Sequence, residues 1–164
     1  MKISFEQGAW AAMRISLGWL FFWAFIDKVF GLGFATEHGK AWIDGVSPTF
    51  GYLKFATHGP FTPLFQALAG SVIVEWLFML GLLLIGVALI LGVGMRIAGY
   101  SGALMVALMF LAASLPSEHN PIIDEHVIYF CAFLLFTKIP VGHWLGFGKF
   151  WSELEIVKKY PILQ

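Results

Sequence analysis

Charge is scarce in this sequence. Lys and Arg together number 10, Asp and Glu also number 10, and charged residues make up 12% of 164 positions. Soluble domains carry about 25%. With 59% hydrophobic residues, a water-soluble domain of this length would have too little interior to hide its apolar surface. The composition predicts an integral membrane protein. Net charge is zero, so the overall charge balance does not favour nucleic acid as a partner. Cysteine is nearly absent. Cys131 stands alone, which excludes a disulfide within the chain and excludes CxxC dithiol chemistry unless a partner supplies the second thiol. The start, MKISFEQGAW, lacks the basic, apolar, small-residue order of a cleaved signal, so the apolar stretch after it is read as a retained helix. No second domain and no internal repeat is visible.

Long apolar runs are what the chain does have. A span needs about 20 mostly apolar residues. Four segments qualify: 8–30, 72–94, 95–115 and 121–141. The second and third are joined by LGVGMR, a glycine-containing turn that forces an antiparallel hairpin. The fourth has a short apolar centre, VIYFCAFLLFT, and needs its polar first turn to complete the span. Asn120 and Pro121 read as the N-cap and first residue of that helix. Residues 31–70 are broken by Gly and Pro and rich in aromatics. They read as a cap of short helices on the outer face, anchored at headgroup level by Trp42, Phe50, Tyr52 and Phe55. The expected fold is therefore all-α: a four-transmembrane-helix bundle with an outer cap between helices 1 and 2 and an amphipathic C-terminal tail.

Four spans put both ends of the chain on one side. Lys2, Arg96, Lys138, Lys149, Lys158 and Lys159 fall on that side, against Lys28, Lys40 and Lys54 on the other. The positive-inside rule then predicts a multi-pass protein with both termini in the cytoplasm.

This topology brings charges from three helices to one depth near the outer edge: Asp27 and Lys28, Glu75, and Asp124, Glu125 and His126. Charges within spans are costly and tend to mark function. Lys28 would neutralise Glu75 or Glu125 if the helices bring them together. The remaining carboxylates and His126 would bind a polar head or shuttle protons to a lipid-soluble substrate. A structural reading stands beside this one. Asp124 and Glu125 sit where a helix start favours anions, and the cluster would serve equally as an ion-pair lock. On the inner side, Arg14 is expected to snorkel to the headgroups. Glu118, His119, Asp124 and His126 have ligand chemistry but no metal spacing, so no metal is assigned. His126 and His143 lie at opposite ends of one helix, which argues against bis-histidine haem.

Trp19 and Trp23 share a helical stripe that continues to Asp27, a candidate slot for a flat ring. Trp76 is grouped with them as a candidate cofactor-binding residue. Gly81 and Gly86, and the pairs Ala98/Gly102 and Gly99/Ala103, would allow close helix contact.

In this order, RISLGWLFFWAFIDKVFG, AWIDGVSPTFGYL, GPF, VEWLFMLGLLLIGVALILGVGMRIAGYSGALM and NPIIDEHVIY resemble the DoxX/DoxD-like family of small four-span membrane proteins, over nearly the whole chain. The resemblance implies a helical bundle in the plasma membrane. Name-giving members are membrane subunits of a thiosulfate:quinone oxidoreductase, which passes electrons from thiosulfate to quinone and forms tetrathionate. No catalytic residues carry over. The sequence has no redox cofactor motif of its own, so electron transfer would need a partner or a bound quinone. The expected function is a membrane subunit of a quinone-linked oxidoreductase, working in the lipid bilayer with other membrane or outer-face subunits or further copies of itself. The alternative is a non-catalytic scaffold or assembly subunit of a respiratory complex. A small transporter ranks last, because four spans leave little room for a pathway.

Overall fold

The computed structural model describes residues 3–113, 115–117 and 122–164. Among these residues the chain is all-α, with no strand. Helix α1 runs Phe5–Phe30, and α2 is a short turn of helix at Thr62–Ala67. Helices α3 (Val72–Leu91) and α4 (Met95–Ala113) form the hairpin, followed by α5 (Glu125–Phe136), α6 (Gly148–Glu153) and α7 (Glu155–Lys159).

Helix α1 starts earlier than its apolar run. Ser4 and Gln7 form a reciprocal capping box, each side chain accepting from the other's backbone N–H. It ends on Gly31, whose φ of 61° is left-handed. Helix α3 ends on Gly92 in the same conformation, and Gly94 then turns the chain into α4. At 1.5 Å per residue, α1, α3 and α4 are roughly 39, 30 and 28 Å long, against a hydrocarbon thickness of about 30 Å. These three helices are long and apolar enough to cross a membrane. Ile73, Leu77, Leu84, Leu104 and Ile128 are exposed along the helices, as a bilayer environment would require.

Helix α5 departs from the expectation. It begins at Glu125, not near Pro121, and is 12 residues or about 18 Å long. Asp124, not Asn120, is its cap. The carboxylate accepts from the His126 N–H at 3.0 Å, and this bond fixes the first turn. Asn120 and Pro121 lie outside the described residues.

Helix α1 packs chiefly on α3, and α4 chiefly on α5, with the α3–α4 hairpin joining the pairs. The α1–α3 crossing is set by Gly18 and Gly86. A Cβ on Gly86 would stand 2.6 Å from the Phe22 nitrogen, so the backbones touch there. Gly99 and Gly102 do the same for α4, receiving Thr137 and the Phe133 ring of α5. Phe21 meets Phe133 edge-on at 5.3 Å, linking α1 to α5 within a core that includes Leu17, Met79, Leu82, Ile85, Leu89, Val106 and Phe136.

Residues 31–70 are a connector of short turns: a 3-10 turn at Trp42–Asp44, a π turn at Tyr52–Ala56, and α2. Trp42 is not free to act as a surface anchor. It packs on the core and meets Trp76 edge-on at 4.8 Å. Phe55, by contrast, is largely exposed.

Arg14 corrects the snorkelling expectation. Its side chain is fully buried. The guanidinium donates to the carbonyls of Leu89 and Ile90, and at 3.0 Å to those of Trp144 and Leu145. The last carbonyls of a helix have no partner within it and carry its negative end. Arg14 satisfies two of them on α3 and ties the loop after α5 to the same point. Gly92 and Gly146 make room. A Cβ on either would stand 3.0 Å from a guanidinium nitrogen. The tail closes the same end of the bundle. Arg96 donates its backbone N–H to the Gln164 carbonyl at 2.7 Å and Nη1 to the Pro161 carbonyl at 3.0 Å.

Candidate functional site

The expected outer charges resolve into separate partnerships. Glu75 stands in the first turn of α3, where the helix end favours an anion. It accepts from the Ser47 hydroxyl, and Ser47 Oγ in turn accepts the Phe50 N–H at 3.0 Å. Glu75 thus ties the connector to α3. Trp76 beside it is occupied by Trp42. Asp27 is buried, and its carboxylate accepts the N–H groups of Thr36 at 2.8 Å and Phe34 at 3.3 Å. It organises the turn leaving α1. Lys28 has no carboxylate within 4.0 Å among the described residues, and Glu125 is exposed.

The remaining pair has different geometry. Asp124 holds the His126 backbone with one oxygen and Nδ1 of its ring with the other, at 2.7 Å. Both side chains are largely but not wholly buried, at 10% and 16% exposed for Asp124 and His126. A carboxylate on Nδ1 selects the tautomer that carries its proton there and leaves Nε2 as the basic nitrogen. Tyr52 of the connector completes the group. Its hydroxyl donates to the Met109 carbonyl of α4 at 3.3 Å. Burial, and then the negative charge of Asp124, push its phenol above the ordinary value of 10.0. The arrangement is a carboxylate-oriented imidazole with a protonated phenol that feels the Asp124 charge and is bonded to α4. It has the parts of a proton-exchange site.

No hydrogen bond or ion pair among the described residues joins Glu75, Asp27 or Lys28 to His126. Tyr52 was missed as a site residue and read only as a surface anchor. It is remote in sequence from α5, and no local spacing connects the two. Glu118 and His119 lie outside the described residues. No group of three His, Cys, Asp or Glu among the described residues could hold a metal.

The tryptophans have ring partners of their own. Trp19 and Trp23 stack on each other with centroids 5.6 Å apart, and Trp23 meets Phe34 edge-on at 5.2 Å. Asp27 holds the Phe34 backbone, which is how the stripe continues to it. Trp19 also lines an apolar groove of about 380 Å³ with Ile15, Phe22, Val87, Ile90 and Leu91, all from α1 and α3. None of its lining comes from α5, where the Asp124–His126 pair lies. The polar groups at Asp124, His126 and Tyr52 fit proton exchange with the head of a quinone. The groove at Trp19 takes no lining from α5, and Trp76 is paired with Trp42.

Comparison with known proteins finds no matching family model, no matching curated protein and no matching solved structure.

Proposed function

We propose that this chain is the membrane subunit of a quinone-linked oxidoreductase of the thiosulfate:quinone type. In this reading α5 and its flanking residues complete a fourth span, the connector caps the outer face of the plasma membrane, and both termini are cytoplasmic. The observation that carries it is the Asp124–His126–Tyr52 group. In it Asp124 both caps α5 and orients the His126 ring, and no hydrogen bond among the described residues takes up His126 Nε2.

When bound, quinone supplies a lipid-soluble acceptor of two electrons and two protons. His126 offers Nε2 as the proton-exchanging atom. Asp124 orients the ring and stabilises the imidazolium formed when Nε2 takes up a proton. The Tyr52 hydroxyl stays protonated at neutral pH and serves as a hydrogen-bond donor. The electron donor and its redox centre belong to partner subunits, since the chain has no cofactor motif of its own.

The test is donor-dependent quinone reduction by the native complex. His126→Gln should lower turnover by about 10²-fold at unchanged subunit content. Asp124→Asn should lower it less and move the pH optimum, because the tautomer is no longer fixed. A His126→Gln complex turning over at the wild-type rate would sink this mechanism.

A second reading is a non-catalytic scaffold. It is favoured by the number of charges committed to internal ties: Arg14, Asp27 and Glu75 each hold one segment against another. Under it, Ser47→Ala would lower the yield of assembled complex while turnover per assembled complex stays constant.

A further inference from the structure

At the opposite end of the bundle from the Asp124–His126 pair, a cavity of about 380 Å³ opens between the start of α4, the end of α5 and the C-terminal tail. Arg96, Lys138 and His143 line it, together with Thr137, Trp151 and Ser152, and no Asp or Glu is in its lining. Among the described residues neither Arg96 nor Lys138 has a carboxylate within 4.0 Å. The Arg96 guanidinium spends Nη1 on the Pro161 carbonyl, and the fork keeps further donors. The Gln164 carbonyl takes up the Arg96 backbone N–H and closes one wall. Arg96 and Lys138 thus bring two cations to a lining that has no acidic side chain.

The level of the cavity narrows the ligand. It lies where α4 begins and α3 and α5 end, at the boundary of any bilayer that holds those helices. The tail that forms one wall exposes Phe147, Phe150, Ile156 and Tyr160, an apolar face with a tyrosine that suits headgroup depth. Basic pockets between helices at that depth suit phosphorylated headgroups, and the volume falls within the range of ligand sites.

We propose that this cavity binds a phosphate group carrying net negative charge, with Arg96 and Lys138 as its principal ligands. The site is separate from the proton-exchange group and does not depend on the function proposed for it. Its source is an anionic phospholipid headgroup or free phosphate, and the two are separated by experiment. The full chain is reconstituted in nanodiscs of equimolar phosphatidylglycerol and phosphatidylcholine, and retained lipid is read by native mass spectrometry. Phosphatidylglycerol should be retained over phosphatidylcholine, and Lys138→Gln should cut that preference about fivefold, the share expected of one basic group near a membrane surface. Lys138→Arg keeps the charge and should keep the preference. It also controls for misfolding. Lys159→Gln, outside the cavity, should change it little. Displacement of the lipid by millimolar inorganic phosphate supports a site that reads free phosphate. Retention against phosphate supports the headgroup. Equal retention of the two lipids, or a preference unchanged in Lys138→Gln, overturns the proposal.

Discussion

Replacing Arg14 by methionine removes a buried cation that has no carboxylate partner among the described residues, so the sign of the effect has to be worked out. Burying a charge at membrane depth costs about 2.5–3.5 kcal/mol on insertion scales, and the substitution recovers that. Against it stand hydrogen bonds to the carbonyls of Leu89, Ile90, Trp144 and Leu145. Bonds from a charged donor contribute about 1.5–3 kcal/mol each, so four contribute about 6 kcal/mol at the low end. The balance is a loss of about 3 kcal/mol. For a chain of this size that lowers the thermal midpoint by roughly 6–12 °C. Arg14→Lys should fall between, because one ammonium cannot reach carbonyls arranged around a planar fork. The assay is thermal unfolding in detergent micelles with monodispersity followed in parallel. A second readout is proteolysis of the loop after α5, which Arg14 holds and which should become sensitive in Arg14→Met. If Arg14→Met melts with the wild type and the loop stays protected, the guanidinium is not the tie. The snorkelling alternative, in which the head sits in water or headgroups, would then regain its standing.

Gly86→Ala should destabilise by about 1–3 kcal/mol, because the new Cβ meets Phe22 backbone, which cannot swing aside. Gly8→Ala, where a Cβ meets nothing within 4 Å, should leave the midpoint unchanged or raise it. Tyr52 provides a pH signature. Its phenol is raised in the folded state by burial and by Asp124, so the folded chain keeps a proton that the unfolded chain releases near 10.0. The stability from this difference is fully present below pH 10 and is lost as pH rises through the folded value. Ultraviolet titration of wild type against Tyr52→Phe should show that tyrosine ionising last or nearly so, and Asp124→Asn should bring its midpoint down. A Tyr52 midpoint at or below 10 would remove the phenol from the Asp124 group.

Helix boundaries were legible where punctuation was local. Gly92 and Gly94 announce the hairpin, and the small residues of α4 allow the close contact expected of them, which the structure places against α5. The α5 start was not, because two caps competed in one stretch. Asn120 with Pro121 offered a familiar pair, but Asp124 holds both the backbone and the ring of His126 and sets the first turn there. Arg14 was misread for a different reason. Snorkelling presumes an open route to the headgroups. That route is closed by a loop more than a hundred residues away, admitted by glycines whose purpose appears only when the segments meet. Depth along the bundle can be counted from sequence, whereas direction around a helix depends on which neighbour it chooses. The charges expected at one level consequently resolve into separate partnerships.

That separation is what allows the charges to be ranked. A buried polar group whose hydrogen bonds go to backbone amides and carbonyls of other segments is held by the fold and holds it in return. Asp27, with two loop amides on its carboxylate, and Arg14, with four carbonyls on its guanidinium, are of this kind. Glu75 is closer to them than to His126, since its partner is a hydroxyl that itself caps a turn. His126 differs because Asp124 satisfies one ring nitrogen and thereby defines the role of the other. Histidine is also the side chain whose ordinary titration falls near physiological pH. Asp27→Asn should therefore register in stability with activity per folded molecule unchanged, and His126→Gln in activity with stability nearly unchanged. If both move stability alone, the outer end of the bundle is a lock throughout and the scaffold reading prevails.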